Sequence, residues 1–427
     1  MASSMMMLGF LLLLAIGMPV SAAMGIGALV GLEVLDIPPE TMIRYMHEKL
    51  RSIPILAVPF FILAASIMKE MDLVRRIFDF SNHIVGSLKG GLGQVNIMAS
   101  MIFAGISGSA LADIGGLGKI QITAMTAKGY RIGFSAAITV ASSVIGPIIP
   151  PSIMFIIYAV NAHVSIAKLF IAGLLPGLFV GAALMVTVYI LTKTGVEKCP
   201  DQTRSSFKKI ISSFFVGFPT IITPVIILLG MTTGIFTPTE AAVVAVLYSV
   251  LLSFLYRTFT LNRIYVAFVD TIKTTAMVMY LTGIGAVISF ILTSEQVGEQ
   301  LAQYLISLSD VPGVLFLLIN LAILILGCVL ETLPALLIAI PVFVPLIINL
   351  GMDPLQFGVV LTLNLLIGMM TPPIGLGLFA ICAVSGITLE EAIKSTAVFL
   401  PTLFIVLLII TFFPIFTMWL PSILIAF

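Results

Sequence analysis

The amino-acid sequence predicts an all-α, polytopic membrane protein, and three observations lead to this fold class. Of the 427 residues, 60% are hydrophobic and only 9% are charged, with a mean hydropathy of +1.23. Soluble domains carry about 25% charged residues, so this chain lacks the polar cover of a water-facing surface. Apolar runs recur along the whole chain, and the alternating pattern of an outer-membrane barrel is absent. We therefore expect about 10–12 transmembrane helices.

The apolar runs approach or exceed the ~20 residues that cross the hydrocarbon layer as a helix. They are Met5–Val34, Leu169–Leu191, Ala276–Leu292, Gly313–Leu330 and Val398–Leu420. Within the first run, Pro19–Ala23 imitates a signal-peptide cleavage site. However, no Lys or Arg precedes Arg44, and a signal peptide needs a basic n-region. We interpret Met1–Met24 as a retained first helix.

Basic residues are unevenly distributed along the chain. Nineteen of the twenty Lys and Arg residues lie at or before Lys273, and only Lys394 follows. Basic clusters are typical of cytoplasmic loops, but single helices cannot separate all of these clusters, so some short segments must be re-entrant or interfacial. Lys69–Lys89 mixes charged and apolar residues at helical spacing, which fits either an interfacial helix or an ordinary connecting helix. The sequence has no basic stripe of the kind that indicates nucleic-acid binding.

An internal repeat divides the chain. Ile145–Pro151 reads IGPIIPP and Ile367–Pro373 reads IGMMTPP, 222 residues later, and Gly129 and Gly351 keep the same offset. Chance agreement between apolar segments is the alternative, but a shared Pro-Pro pair with the correct flanking order favours a repeat. We predict repeated units at residues 57–191 and 276–427, an N-terminal scaffold segment at 1–56, and linker and scaffold helices at 192–275.

Each copy carries a proline pair within an apolar stretch: Pro150 and Pro151, then Pro372 and Pro373. Proline removes an amide donor and breaks a helix, which frees carbonyl oxygens at membrane depth. In transporters built from repeats, unwound carbonyls bind cations and half-helix N-termini bind anions. A single proline more often makes a kink that neighbouring helices satisfy, but two matched breaks favour function. We predict broken helices at residues 145–151 and 367–373.

A polar or glycine-rich segment precedes each break. The polar residues are Ser107, Ser109 and Asp113 in the first segment, and Glu331 and Thr332 in the second. An acid at a helix centre costs about 2.5–3.5 kcal/mol on insertion scales, so these carboxylates should face an ion, a partner or water. Their oxygens are hard ligands that suit Na⁺. We predict helical hairpins dipping into the membrane at about residues 97–125 and 325–350.

The sequence carries no catalytic constellation. Its three histidines and three cysteines show no catalytic or metal-ligand spacing, and no Walker A or GxGxxG motif occurs. We therefore expect no enzyme activity. The energy for any transport must come from an ion gradient or from another subunit.

Four segments carry a family resemblance. They are GISGSALADIGGLGKIQITAMTAKGY (Gly105–Tyr130), SSVIGPIIPPSIMFIIY (Ser142–Tyr158), TPTEAAV (Thr237–Val243) and GMDPLQFGVVLTLNLLIGMMTPPIGLGLF (Gly351–Phe379). In this order they resemble the large membrane subunit of tripartite ATP-independent periplasmic (TRAP) transporters, with Thr237 where the family has Ser. The likeness covers nearly the whole chain.

The resemblance implies an inverted-repeat, elevator-type transporter with two re-entrant hairpins in the bacterial inner membrane. Members are coupled to Na⁺, and we expect two or more ions per cycle. They work with a periplasmic substrate-binding protein and a small four-helix membrane subunit, here on separate chains. The expected substrate is a small organic anion, a C4-dicarboxylate or a sugar acid such as sialic acid.

The resemblance also implies site residues, which fall into three groups. The first Na⁺ site takes Ser107, Ser109 and the backbone oxygens of Gly146 and Pro147; the second takes Gly327, Thr332, Gly368 and Thr371. The substrate lies between the hairpin tips, near Gly108, Asp113, Glu331 and Asn364. For Asn364 an interhelical hydrogen bond is the simpler explanation, and Glu331 repels an anion unless it holds a cation.

Three other functions remain open. A Na⁺/dicarboxylate symporter that works without a binding protein is the nearest alternative. A channel fits less well because channels favour symmetric rings of short chains. An intramembrane enzyme lacks its catalytic residues.

Overall fold

The computed structural model describes residues 1–200, 206–309 and 311–424, and these residues form 23 α-helices, one 3-10 helix and no β-strand. The N-terminal part contains α1 (Ala2–Ala15), α2 (Val20–Val34), α3 (Glu40–Leu50) and the 3-10 helix Ile53–Leu56. It continues with α4 (Ala57–Glu70), α5 (Leu73–Val85), α6 (Leu92–Ser107), α7 (Ala110–Gly115), α8 (Leu117–Ala127), α9 (Ile132–Ser143), α10 (Ile153–Ala162) and α11 (Ile166–Lys193). The middle contains α12 (Phe207–Ile221), α13 (Thr223–Thr232) and α14 (Pro238–Leu255).

The last part of the chain repeats much of this order. It contains α15 (Leu261–Ser294), α16 (Val297–Leu308), α17 (Pro312–Val329), α18 (Thr332–Asn349), α19 (Pro354–Met369), α20 (Leu376–Ser385), α21 (Leu389–Thr396), α22 (Leu400–Phe412) and α23 (Ile415–Leu424). In both parts a long apolar helix is followed by an amphipathic helix, a hairpin and a broken helix. The amphipathic helices are α5 and α16.

Six helices among the described residues are long and apolar enough to cross a membrane, and three bent pairs raise the number to nine. Shorter apolar helices of 10–17 residues include α6, α9, α10 and α19. The all-α, multi-pass fold is therefore confirmed. The count of about 10–12 spans stays a prediction, since it depends on how the short helices combine.

The first apolar run folds differently from the prediction. Gly17 has φ +85° and Pro19 precedes α2, so the chain reverses between α1 and α2. The two helices pack closely, because a Cβ atom on Gly27 would lie 3.1 Å from the carbonyl oxygen of Met6. At 1.5 Å per residue they are about 21 and 23 Å long, less than the ~30 Å of the hydrocarbon layer. The prediction of a single helix over Met1–Met24 is therefore wrong.

The two broken helices, α9–α10 and α19–α20, run in opposite directions. The Tyr158 hydroxyl, near the end of α10, donates to the Pro354 carbonyl at the start of α19 (2.6 Å). Conversely, Gly133 at the start of α9 lies against α21, which follows α20; a Cβ atom there would lie 2.7 Å from Glu391 Oε1. The start of each broken helix thus meets the end of the other, which is the geometry of an inverted repeat.

Buried polar pairs join each hairpin to its broken helix at matching positions. Asn96 on α6 donates to Thr139 Oγ1 (2.8 Å) and accepts from Ser142 Oγ (3.0 Å) on α9. Asn364 on α19 donates to the backbone and side-chain oxygens of Asn320 on α17, both at 2.8 Å. Asn364 lies 222 residues after Ser142, the offset of the sequence repeat. Such hydrogen bonds are expected where polar groups are buried away from water.

Candidate functional site

The tip of the first hairpin is a tight turn between α6 and α7. Gly108 has φ +58°, and a Cβ atom there would lie only 2.7 Å from the Pro151 carbonyl oxygen. A side chain at this position would therefore be strained and would collide with the backbone of the first break. Ser109 follows as the N-cap of α7, with its hydroxyl accepting from the Ala112 amide at 3.4 Å. The turn thus holds the tip against the broken helix.

A buried carboxylate lies behind this tip. Asp113 on α7 is 2% exposed, and its Oδ1 accepts a hydrogen bond from the Ser107 hydroxyl. Its Oδ2 has no hydrogen-bond partner among the described residues. That oxygen faces the first break, because a Cβ atom on Gly146 would collide with it. An unpartnered carboxylate oxygen in such surroundings is costly unless a cation or a proton satisfies it.

The first break adds backbone oxygens to the same place. Among the described residues, no donor reaches the carbonyls of Gly146, Pro150 and Pro151. The Pro147 carbonyl accepts from the hydroxyl of Ser152, which also caps α10 through the Phe155 amide at 3.2 Å. Carbonyl, hydroxyl and carboxylate oxygens together form a donor set that suits a hard cation.

The second hairpin meets its break through close backbone contact. A Cβ atom on Gly368 would lie 2.6 Å from the carbonyl carbon of Gly327, and one on Gly327 would lie 2.9 Å from the Leu365 carbonyl oxygen. The Gly375 amide then donates to the Cys328 carbonyl at 3.0 Å. Small residues permit this close approach of helices in a membrane protein. The second hairpin is therefore held against its broken helix by contacts between main-chain atoms.

Polar side chains at the second hairpin make few bonds. The Thr371 hydroxyl donates to the Ile367 carbonyl of its own helix at 2.7 Å. Among the described residues, no donor reaches the carbonyls of Thr371, Pro372 and Pro373. Glu331 is the N-cap of α18 and is half-buried, without a capping hydrogen bond from its side chain. This region thus offers oxygens mainly from the backbone.

Both hairpin tips line one cavity of about 200 Å³. The predicted residues on its wall are Ser107, Gly108, Ser109, Pro147, Glu331 and Thr332. The opposite wall belongs to α4 and α15 and contributes Ser66, Lys69, Asp270 and Thr274. The residues predicted from the sequence thus lie on one wall of the cavity, and the residues of the other wall are identified only from the structure.

Comparison with known proteins identifies the chain. A family model described as the DctM component of the tripartite ATP-independent periplasmic transporters matches residues 7–416. The chain belongs to this family. It is 40% identical, over 97% of both chains, to the sialic acid TRAP transporter large permease protein SiaM of Vibrio cholerae. It is 37% identical, over 86% of both chains, to the C4-dicarboxylate TRAP transporter large permease protein DctM of Pseudomonas aeruginosa.

Solved structures agree with the fold of this TRAP permease. The YdaH transporter of Alcanivorax borkumensis matches with a TM-score of 0.57 at 13% identity, over 89% of this chain and 88% of that one. Neisseria gonorrhoeae MtrF matches with a TM-score of 0.51 at 11% identity, over 86% of this chain and 82% of that one. The TRAP permease is thus a multi-pass protein of the bacterial inner membrane and a transporter subunit, not an enzyme.

Some predicted residues of the TRAP permease lie outside the cavity wall. Gly146, Gly368 and Thr371 lie within the breaks, and Asp113 and Gly327 contact them, but none of these residues lines the cavity. Asn364 is fully buried between α19 and α17. The arrangement brings together the predicted residues of the first Na⁺ site. The assignment of each residue to an ion or to the substrate stays a prediction.

The TRAP permease has a second, larger cavity of about 890 Å³ between α3, α15 and the turn joining α10 to α11. Lys49 on α3 reaches across it and donates to the Val160 carbonyl on α10 at 3.3 Å. Burial lowers the pKa of the Lys49 amine. Both cavities lie along α15: residues between Asp270 and Leu281 line the smaller one, and residues between Ala286 and Thr293 line the larger one.

Proposed function

We propose that this chain is the permease subunit of a sodium-coupled transporter that takes up a small organic anion delivered by a periplasmic binding protein. The relatives are named for sialic acid, C4-dicarboxylates and 2,3-diketo-L-gulonate, which are all small organic acids. The family name implies a binding protein and a small membrane subunit as partners. This proposal leaves the choice among these acids to the binding protein.

The observation that carries the proposal is the meeting of two hairpin tips and the first helix break at one cavity, while the second break lies against the second hairpin. Each break leaves backbone carbonyls without donors among the described residues, and the first adds the unpartnered oxygen of Asp113. Such oxygens at membrane depth are stabilised when a cation binds them. We assign one Na⁺ to each hairpin and the anion to the cavity between the tips.

Two sodium ions per monoanion also fit the energetics. At ~100 mV each net charge gains about 2.3 kcal/mol, and a tenfold gradient adds about 1.4 kcal/mol per ion. One Na⁺ with a monoanion moves no net charge and concentrates the substrate about tenfold. Two Na⁺ supply about 5 kcal/mol, which suits scavenging at low concentration.

We propose an elevator movement of the hairpins and broken helices against α4, α14 and α15. The cavity wall is divided between these two groups of helices, as such a movement requires. Contacts also group the base of the first hairpin with the end of α11, since Arg131 pairs with Glu197. Five basic residues lie at this base and at the end of α11, and by the positive-inside rule they favour a cytoplasmic position for it: Lys89, Lys128, Arg131, Lys193 and Lys198.

Transport into proteoliposomes tests the proposal. The chain is reconstituted with its small membrane subunit and each candidate binding protein, and ²²Na⁺ is counted per organic acid. We expect uptake that needs both sodium and the binding protein, with at least two ions per acid. Uptake without the binding protein would favour the simpler symporter, and a ratio of one ion would contradict the two-site assignment.

Substitution of one hydroxyl in each site tests the assignment of the ions. Ser107→Ala and Thr371→Ala are each expected to raise the sodium concentration for half-maximal uptake. The effect should be larger for Ser107, because its hydroxyl holds Asp113, whereas that of Thr371 bonds its own helix. Unchanged sodium dependence in both variants would contradict the assignment.

A further inference from the structure

The charges on the smaller cavity do not suit an anion without a counter-charge. Among the described residues on its wall, the charged ones are Lys69, Asp270 and Glu331. Two are acidic and repel an organic anion, and Lys69 alone attracts it. Lys69 lies on α4, across the cavity from the hairpin tips.

The Lys69 amine is held loosely in the cavity. Its Nζ lies 3.8 Å from Asp270 Oδ2 and 3.8 Å from Glu70 Oε1, which is beyond hydrogen-bond distance. Asp270 Oδ2 also accepts a hydrogen bond from Ser66 at 3.1 Å. The Lys69 side chain is 46% exposed, so a ligand reaches its three donors without displacing a tight partner.

Lys69 also reaches toward the first hairpin. A Cβ atom on Gly116, between α7 and α8, would lie 3.9 Å from Lys69 Cδ. The aliphatic part of the side chain thus packs beside hairpin backbone while its amine remains at the cavity. A ligand at the Ser109 tip would therefore have a cation within reach on the other wall.

We propose that Lys69 binds the acidic group of the substrate and that Asp270 competes with the substrate for its amine. This inference rests on the proposed function and adds a residue on α4 to the hairpin contacts. Before substrate binds, Asp270 neutralises Lys69, and in the loaded cavity the anion takes over that contact. Because the amine is half-exposed, its contribution to substrate affinity lies at the lower end for a charged hydrogen bond.

The test is whether substitutions of Lys69 and Asp270 change KM in opposite directions. In proteoliposomes with the binding protein, uptake is measured for whichever of sialic acid, succinate and 2,3-diketo-L-gulonate the wild type transports fastest. Lys69→Gln should raise KM about tenfold with Vmax within twofold, as loss of one charged hydrogen bond predicts. Lys69→Arg should keep KM within threefold. Asp270→Asn should lower KM, because the amine then has no competitor, and an unchanged KM would contradict the competition.

Lys273→Gln is the matched control. It removes the same charge three residues from Asp270, at an exposed position that does not line the cavity, and should leave KM unchanged. If Asp270→Asn raises KM as Lys69→Gln does, the pair is only structural and the inference is overturned. An equal KM rise in Lys273→Gln would also overturn it, since any nearby charge would then act alike.

Equilibrium binding separates this inference from the proposed function. The three acids are titrated onto the wild type and Lys69→Gln in nanodiscs with sodium. Absence of uptake by the wild type would contradict the proposed function. Equal affinities of the wild type and Lys69→Gln would contradict the role of Lys69, whatever the uptake shows.

Discussion

The two hairpin regions share one backbone plan but differ in what fills it. Behind the first tip the Asp113 carboxylate accepts from the Ser107 hydroxyl and faces Gly146 of the first break, whose carbonyl has no donor among the described residues. Behind the second, Gly327 and Gly368 bring two helices into main-chain contact, and Glu331 stands at the cavity rim. Among the described residues of the second region, no carboxylate is fully buried. The repeat thus preserves architecture, while each copy has its own chemistry.

This difference has a physical origin in the second arm of each hairpin. In the first, the arm is interrupted at Gly116, which lets the short α7 turn Asp113 toward the break. In the second, α18 continues for 18 residues, and Thr332 is followed by apolar side chains in its first turn. An interrupted arm exposes polar groups that a continuous helix would satisfy.

The glycines at the breaks should give the largest difference between the two regions. Gly368→Ala brings a methyl group against backbone that cannot move, so we expect a loss of about 3 kcal/mol and poor folding. Gly146→Ala meets the Asp113 carboxylate, which can shift, so we expect a folded protein with about tenfold higher sodium demand. Thermal unfolding in detergent and sodium-dependent uptake measure the two effects.

Gly115→Ala is the control for both substitutions. It lies in the first hairpin with nothing within 4 Å of an added methyl group, and should be neutral. If Gly146→Ala unfolds the protein as Gly368→Ala does, the two regions are alike in rigidity and the contrast is wrong.

The two acids should differ next. Asp113→Asn removes the charge from a buried carboxylate that holds Ser107, so the sodium concentration for half-maximal uptake should rise about 10- to 100-fold. Glu331→Gln changes a half-buried group without a side-chain capping bond, and we expect less than about a threefold change. Sodium titrations of uptake measure both. Equal shifts would show that the second region also relies on a carboxylate.

The polar pairs between helices should give the smallest difference. Asn364→Ala removes two hydrogen bonds to Asn320, and Ser142→Ala removes one to Asn96 and one from Ser100. We expect stability losses of about 1–2 kcal/mol in each, with sodium demand and KM unchanged. Melting temperatures and uptake kinetics test this. A selective rise of KM in Asn364→Ala would instead support its predicted contact with the substrate.

The helix ends beside the proline pairs have a local cause, because proline interrupts a helix whatever surrounds it. The first helix, α9, ends at Ser143 before the predicted break at 145–151, whereas α19 continues to Met369, three residues into the predicted break at 367–373. The reversal at Gly17 was missed because the length of the apolar run was given more weight than the turn signal of Gly17 and Pro19 within it. The length of an apolar run alone therefore overestimates the length of the helix that it forms.

The scaffold wall of the cavity could not be predicted for a different reason. Lys69 and Asp270 lie in charged segments that resemble cytoplasmic loops, and they meet only because α4 packs against α15. Their separation in the chain leaves no local pattern. The hairpin residues, by contrast, are polar groups within apolar surroundings, which is itself a signal.

The antiparallel pairing of the broken helices affects the growing chain on the ribosome. Tyr158 is synthesised before its partner Pro354, and Gly133 before its partner Glu391; each partner lies more than 190 residues downstream. At 5–20 residues per second this delay is roughly 10–50 s. During that time the first unit sits in the bilayer without its contacts to α19 and α21. Slow translation between these partners would prolong that interval, whereas slow translation before Gly133 would not.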